Sequence, residues 1–145
     1  MLTVARILLT LTVVGYGFGT IKADFNKTHA TNPAWTPHAR FHVVWQILSY
    51  SWIGLIALYL IWSGGPDAPE HLYLAVAFSV AIYGAFFAAV FARPLFKGSL
   101  YDRNGYLPFQ PPIGPKHWRW DLNVVVFTIL SAILLAAILA LLAAQ

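Results

Sequence analysis

Two histidines, His38 and His42, lie four residues apart just after the dipeptide Thr36-Pro37. A threonine followed by a proline predicts the start of a helix, with Thr36 as the N-cap and Pro37 in the first turn. Because residues four apart share one face of a helix, the two imidazole rings should lie one turn apart. Neighbouring imidazoles can hold a transition metal or exchange protons near neutral pH, so this pair is a candidate chemical centre.

A second pair with the same spacing, His117 and Asp121, follows the dipeptide Gly114-Pro115. If the proline starts a helix, the imidazole and the carboxylate share a face. With four membrane spans, the second and fourth helices begin on the same side, so we expect the two pairs to meet there. A carboxylate beside a desolvated imidazole suits general acid–base chemistry. The candidate catalytic residues are His38, His42 and Asp121.

Other polar residues surround these two pairs. Gln46 continues the face of His38 and His42 into an apolar span, and such a stripe should face the bundle interior because lipid penalises it. We therefore predict a His/Asp/Asn cluster at the cytoplasmic mouth of the bundle. The candidate ligand-binding residues are Asp24, His29, Asn32, Trp35, Arg40, Gln46, His117, Arg119 and Asn123.

Three functions are compatible with this cluster. It can receive a lipophilic or amphipathic ligand from the bilayer, with or without acid–base chemistry. It can instead hold a transition metal such as zinc, copper or iron, although the chain has no cysteine to supply thiolate ligands. The third alternative is a non-catalytic accessory subunit of a membrane complex, so the sequence leaves both catalysis and a cofactor open. The metal ligands would be His38, His42, His117 and Asp121.

The elements that must position these residues are transmembrane helices. Hydrophobic residues make up 59% of the 145 residues and charged residues only 10%, far fewer charges than in soluble domains. Apolar runs of about 20 residues are long enough to cross a bilayer as helices. We predict a single all-α domain, an antiparallel four-helix transmembrane bundle, with spans at about 2–21, 37–62, 72–93 and 115–144 and an interfacial cap at 94–114.

The basic residues predict how the chain is oriented in the membrane. The two long connections and the helix ends beside them carry every lysine and arginine except Arg6. The positive-inside rule then puts the long connections in the cytoplasm and both termini outside, as in a bacterial inner membrane. The basic residues flank apolar spans and form no soluble basic face, so we expect no nucleic-acid partner despite the net charge of +4. The other basic residues are Lys22, Lys27, Arg40, Arg93, Lys97, Arg103, Lys116 and Arg119.

Small residues recur along three of the spans. Gly15 and Gly19 form a GxxxG pair in the first span, and alanines recur every fourth residue in the third and fourth spans. Such stripes predict close helix packing within the bundle, or a face offered to a membrane partner subunit. The alanines are Ala77, Ala81, Ala85 and Ala89 in the third span, and Ala132, Ala136, Ala140 and Ala144 in the fourth.

The segment from residue 23 to residue 46 carries the main resemblance to a known family. Its sequence Asn-Pro-Ala-Trp-Thr-Pro-His-Ala-Arg-Phe-His-Val-Val-Trp resembles that of small four-span membrane proteins known only as a domain of unknown function. The resemblance implies a four-helix fold and supplies no activity. In outline, the small size and the intramembrane polar residues also look like the sterol-isomerase and sigma-2-receptor group, which implies a lipophilic substrate.

Overall fold

The structure, a computed structural model, describes residues 1–64 and 68–144. It contains the helices α1 (Leu2–Gly17), α2 (Gly19–Asp24), α3 (Pro37–Trp62), α4 (Ala68–Phe96) and α5 (Leu122–Leu142). In these described residues, four helical segments are long and apolar enough to span a membrane: α1 with α2, then α3, α4 and α5. The predicted all-α fold with four spans is confirmed. We call the end with the two long connections, 25–36 and 97–121, the loop end.

The helices pack around α1. In the described part of the chain, α1 contacts α3, α4 and α5, while α3 packs against α4 and α4 against α5. Helices α3 and α5 do not contact each other, so they occupy opposite corners of the bundle. The prediction that the starts of these two helices lie side by side is therefore wrong. The physical reason is that α1 packs between them.

Two glycines bring the backbones of α1 and α3 close together. A Cβ atom added to Gly54 would lie 3.2 Å from the Cα atom of Gly17. The hydroxyl of Ser51 also lies 2.9 Å from the carbonyl oxygens of Gly17 and Ile47 and shares its single proton between them. That carbonyl is free because the N–H of Ile21 bonds to Phe18 instead, at the break between α1 and α2. This crossing fixes how α1 and α3 are rotated against each other.

Of the small residues predicted to pack helices together, some contact another helix or are buried, and others are exposed. Gly15 packs against Leu130 of α5, whereas a Cβ atom on Gly19 would have only a backbone atom of its own segment within 4 Å. The alanine stripe of α4 is exposed along its length, and on α5 Ala140 is buried. The glycine pair that actually brings two helices together is Gly17 with Gly54, two residues beyond Gly15. A partner on the α4 stripe stays a prediction.

The hydrophobic core fills only the half of the bundle away from the loop end. Its buried side chains include Leu9, Tyr16 and Ile61, and they continue on α4 and α5 with Leu72 and Leu141. Large apolar side chains elsewhere are exposed, as expected for helices surrounded by lipid. The loop-end half is not filled in the same way, and the cavities described below lie there.

Helix α5 begins later than the sequence predicts. It starts at Leu122, and the side chain of Asp121 caps it by accepting a 3.0 Å hydrogen bond from the N–H of Val124. The preceding residue, Trp120, exchanges two backbone hydrogen bonds with Phe109 and is therefore extended. A fourth span beginning near residue 115 is thus wrong, because this bridge holds the chain out of a helix. Helix α4 also runs to Phe96, so the first residues of the predicted cap, 94–96, are helical.

Candidate functional site

The two long connections are joined at the loop end. The indole N–H of Trp35 donates a 3.0 Å hydrogen bond to a carboxylate oxygen of Asp102. The hydroxyl of Tyr106 donates a 2.8 Å bond to the carbonyl of Ala23 in α2. The connections therefore form one hydrogen-bonded layer at the loop end, although they lie far apart in sequence.

The charge on Asp102 supports this layer. The N–H of Asn104 and the indole of Trp35 both donate to its carboxylate and hold the pKa of that group below its ordinary value. A carboxyl with a lowered pKa stabilises the fold above its unfolded pKa, and this contribution is lost as the pH falls through the folded value. The link between the connections is therefore fully present at neutral pH.

The first connection is folded by two asparagines. The amide nitrogen of Asn26 donates to the carbonyls of Lys22 and Ala23, so its oxygen must be the atom that accepts from Thr28. Asn32 is buried, donates to the carbonyl of Thr28 and accepts from the N–H of Ala34. Both side chains thus hydrogen-bond mainly to backbone groups of the first connection and of the end of α2. Asn32, predicted to bind a ligand, is thus engaged on both sides of its amide.

This network fixes the protonation of one nitrogen of His29. The Thr28 hydroxyl gives its single proton to Asn26, and it lies 2.8 Å from Nδ1 of His29. Nδ1 must therefore carry a proton and donate to Thr28. Nε2 is left to accept a proton in the neutral ring, and no hydrogen-bond partner for it is found among the described residues. His29 is thus oriented for proton exchange at Nε2.

His29 also faces a carboxylate. Its Nδ1 lies 3.6 Å from a carboxylate oxygen of Asp24, with both side chains about one-fifth exposed. The rings of Trp35 and Tyr106 lie beside the imidazole, at centroid distances of 5.1 Å and 5.8 Å. The imidazole is thus held between a carboxylate and two aromatic rings, in an arrangement that ties it to both connections.

Asp24 and His29 line a cavity at the loop end of the bundle. The cavity has a volume of about 530 Å³ and reaches residues of all five helices; we call it the central cavity. That volume lies in the range of small-molecule sites. Its polar lining is Thr20, Asp24, His29, Gln46, Tyr50 and Asn123, and its other lining residues are Gly15, Gly19, Ala23, Val43, Ala85, Phe86, Ala89, Leu122, Val126 and Phe127.

Aromatic rings form the deeper wall of this cavity. Phe86 of α4 and Phe127 of α5 are stacked at a centroid distance of 4.0 Å, about one helical turn further from the connections than Ala89 and Asn123. Tyr83 packs edge-on against Phe127 at 5.4 Å and belongs to the buried core. In the central cavity, Asp24 and His29 therefore lie near the connections, whereas the stacked rings of Phe86 and Phe127 lie towards the core.

The histidine pair predicted as catalytic lies outside the central cavity. His38 and His42 are exposed, and their Nε2 atoms are 3.0 Å apart, so one ring donates to the other. His42 packs beside Trp45 on the outer side of α3. In the described residues, no group of three or more His, Cys, Asp or Glu side chains is arranged to hold a metal. The four predicted metal ligands are therefore not brought together.

The other predicted site residues do not all lie at one site either. Asp121 and Arg119 line a second pocket on the opposite face of α5, and His117 is exposed in the turn before it. Because α5 starts at Leu122, His117 and Asp121 do not share a helix face. Arg40 is half-buried in the first turn of α3. Of the predicted ligand-binding residues, Asp24, His29, Gln46 and Asn123 line the central cavity, with Trp35 behind His29.

Three contributors to the site are absent from the sequence-based prediction. Tyr50 lies one helical turn beyond Gln46 on the same cavity wall, so continuing the polar stripe by four residues would have found it. Thr20 and Tyr106 carry no comparable signal, because their roles depend on how α2 and the second connection pack.

Comparison of the chain with models of protein families, with curated proteins and with solved structures gives no match.

Proposed function

We propose that this small integral membrane protein binds a lipophilic or amphipathic small molecule in the central cavity. The observation that carries the proposal is the layering of that cavity, in which Asp24 and His29 lie near the connections and Phe86 and Phe127 towards the core. A ligand with a polar head and an apolar body would bury its body against the rings and hydrogen-bond through its head.

We assign any proton exchange with a ligand in the central cavity to Asp24 and His29. Only these titratable side chains among the predicted site residues line the central cavity. Nδ1 of His29 is held as a donor, so Nε2 is the atom that can give or take a proton. The earlier candidates His38 and His42 lack this arrangement, because their nearest titratable neighbours are each other.

We further propose that the loop end faces the cytoplasm and that both termini lie outside. The support is the concentration of lysine and arginine at the loop end. Since the chain has no cysteine, a single cysteine at position 104 in the exposed turn of the second connection can be labelled alone. In intact cells, a membrane-impermeant thiol reagent should not label it until the membrane is opened. Labelling without opening the membrane would reverse the orientation.

Filling the central cavity tests the proposed ligand. Ala89→Phe puts an aromatic side chain where a small residue lines the cavity, and it should reduce the ligand recovered with the purified protein at least tenfold. The expected loss follows because bulk added to a site displaces its occupant. The measurement is mass spectrometry of small molecules extracted from protein purified in mild detergent, per mole of protein.

The matched control is Ala77→Phe on the same helix. Ala77 belongs to the same exposed stripe but does not line the central cavity. This variant should retain the wild-type amount of ligand. Equal recovery from both variants, or no lipophilic molecule above the detergent background in wild-type protein, would contradict the proposal.

A further inference from the structure

A second pocket lies between the end of α4 and the start of α5, beneath the second connection. It has a volume of about 800 Å³, and we call it the lateral pocket. Its lining includes the N-cap residue Asp121 and, on α5, Val125 and Thr128, whereas Asn123 and Phe127 face the central cavity. These two sets lie on opposite faces of the helix, so the lateral pocket is a separate site.

The charges of the lateral pocket are two arginines and one aspartate. Arg93 uses Nε to bond the carbonyl of Val90, and Arg119 uses Nη1 to bond the carbonyls of Lys116 and Trp118. Within the part of the chain that the structure describes, neither guanidinium has a carboxylate within 4.0 Å. Both terminal nitrogens of Arg93, and Nε and Nη2 of Arg119, therefore keep donors for a ligand.

The aspartate does not cancel these charges. One carboxylate oxygen of Asp121 accepts from the N–H of Val124 and caps α5. With two arginines and one carboxylate, the pocket carries an excess of positive charge. Guanidinium groups with free donors bind carboxylate and phosphate oxygens well, so the complementary ligand group is an anion.

The floor of the lateral pocket is apolar and extends into the membrane. It consists of Val124, Val125 and Ile129, with Thr128, whose hydroxyl is already bonded to the carbonyl of Val124. At 1.5 Å per residue, Ile129 lies about 10 Å along α5 from Leu122. Arginines at the interface above such a floor match a molecule with an anionic head and a hydrocarbon chain.

We infer that the lateral pocket binds an anionic lipid, with its phosphate or carboxylate head on Arg93 and Arg119 and its chain along Val125 and Ile129. Two observations carry this inference together: guanidinium groups without a carboxylate partner, and an apolar floor that continues from them towards the bilayer interior. It goes beyond the ligand of the central cavity, because the two sites occupy different faces of α5.

The test is native mass spectrometry of protein in detergent with added lipids of matched acyl chains. We expect phosphatidylglycerol to bind at least tenfold more tightly than phosphatidylcholine, and oleate to compete with it. Inorganic phosphate at 10-fold excess over lipid should not compete, because it lacks the chain. Equal binding of the two phospholipids, or competition by inorganic phosphate as strong as that by oleate, would overturn the inference.

Amino-acid substitutions test whether the anionic lipid binds in the lateral pocket. The double variant Arg93→Gln with Arg119→Gln should lose the preference for phosphatidylglycerol. Thr128→Trp fills the floor with no change of charge and should weaken the binding of phosphatidylglycerol itself. Arg103→Gln removes an exposed arginine outside the lateral pocket and should retain wild-type preference and affinity. Wild-type preference in the double variant, or wild-type affinity in Thr128→Trp, would refute the site. Ala89→Phe should leave the preference intact, which separates this result from failure of the proposed function.

Discussion

Replacing Gly54 by leucine is expected to destabilise the bundle by about 3 kcal/mol, the upper end of typical overpacking costs. A Cβ atom at this position would lie 3.2 Å from Cα of Gly17 and 3.8 Å from Val13, and the rest of a leucine side chain has no room there. Backbone atoms cannot move aside as a flexible side chain can. Helices α1 and α3 must therefore separate, which also breaks the bond from Ser51 to Gly17.

The measurement is the unfolding of purified protein in mixed micelles of increasing denaturing detergent, followed by loss of helical signal. Gly84→Leu is the matched control, because a Cβ atom at Gly84 would have nothing within 4 Å. The control should unfold within about 0.5 kcal/mol of wild type, as is usual for exposed substitutions. If the two leucine variants unfolded alike, close glycine packing would not hold α1 against α3.

Substituting Asp24 and His29 of the central cavity is expected to have the largest effect on function. Asp24→Asn and His29→Gln should each reduce the bound ligand at least tenfold, equivalent to about 1.4 kcal/mol. Each replacement retains similar bulk but removes one member of a pair separated by 3.6 Å. Each variant therefore leaves the remaining side chain, which is largely covered by protein, without its polar neighbour.

The same extraction and mass spectrometry that identify the ligand measure this loss. A double variant, Asp24→Asn with His29→Gln, should lose little more than either single variant if the two side chains act together. His117→Gln is the control, since His117 is exposed and lines neither cavity. Unchanged ligand in both single variants, with the protein still inserted, would remove Asp24 and His29 from the site.

Part of the candidate site was accessible from the sequence and part was not. Gln46 was expected to face the interior with His38 and His42, and only Gln46 lines the central cavity. Successive residues four apart turn about 40° around a helix with 3.6 residues per turn. The face therefore drifts, and the histidines near the interface, where water is available, have no need to follow Gln46 inward.

Asp24 and His29 were placed among the ligand-binding candidates without a defined role. Their relation depends on Asn26 and Thr28, which fix the imidazole, and on Tyr106 and Trp35, which pack beside it. The bond from Trp35 to Asp102 joins positions 67 residues apart. No local pattern in either connection predicts that contact.

Local sequence patterns predict the class of protein, a helical membrane bundle, together with the number of spans and the cap of α3, where the Thr36 side chain accepts from the N–H of Ala39. Each of these follows from local composition or from a few neighbouring residues, because long apolar runs must be helical in lipid. Which helices are neighbours, and which of their faces meet, depends on tertiary packing. In lipid, the outside of a helix is as apolar as its packed side, so hydropathy does not fix its rotation. Contacts such as Gly17 with Gly54 fix it instead, and they decide which polar residues line the central cavity.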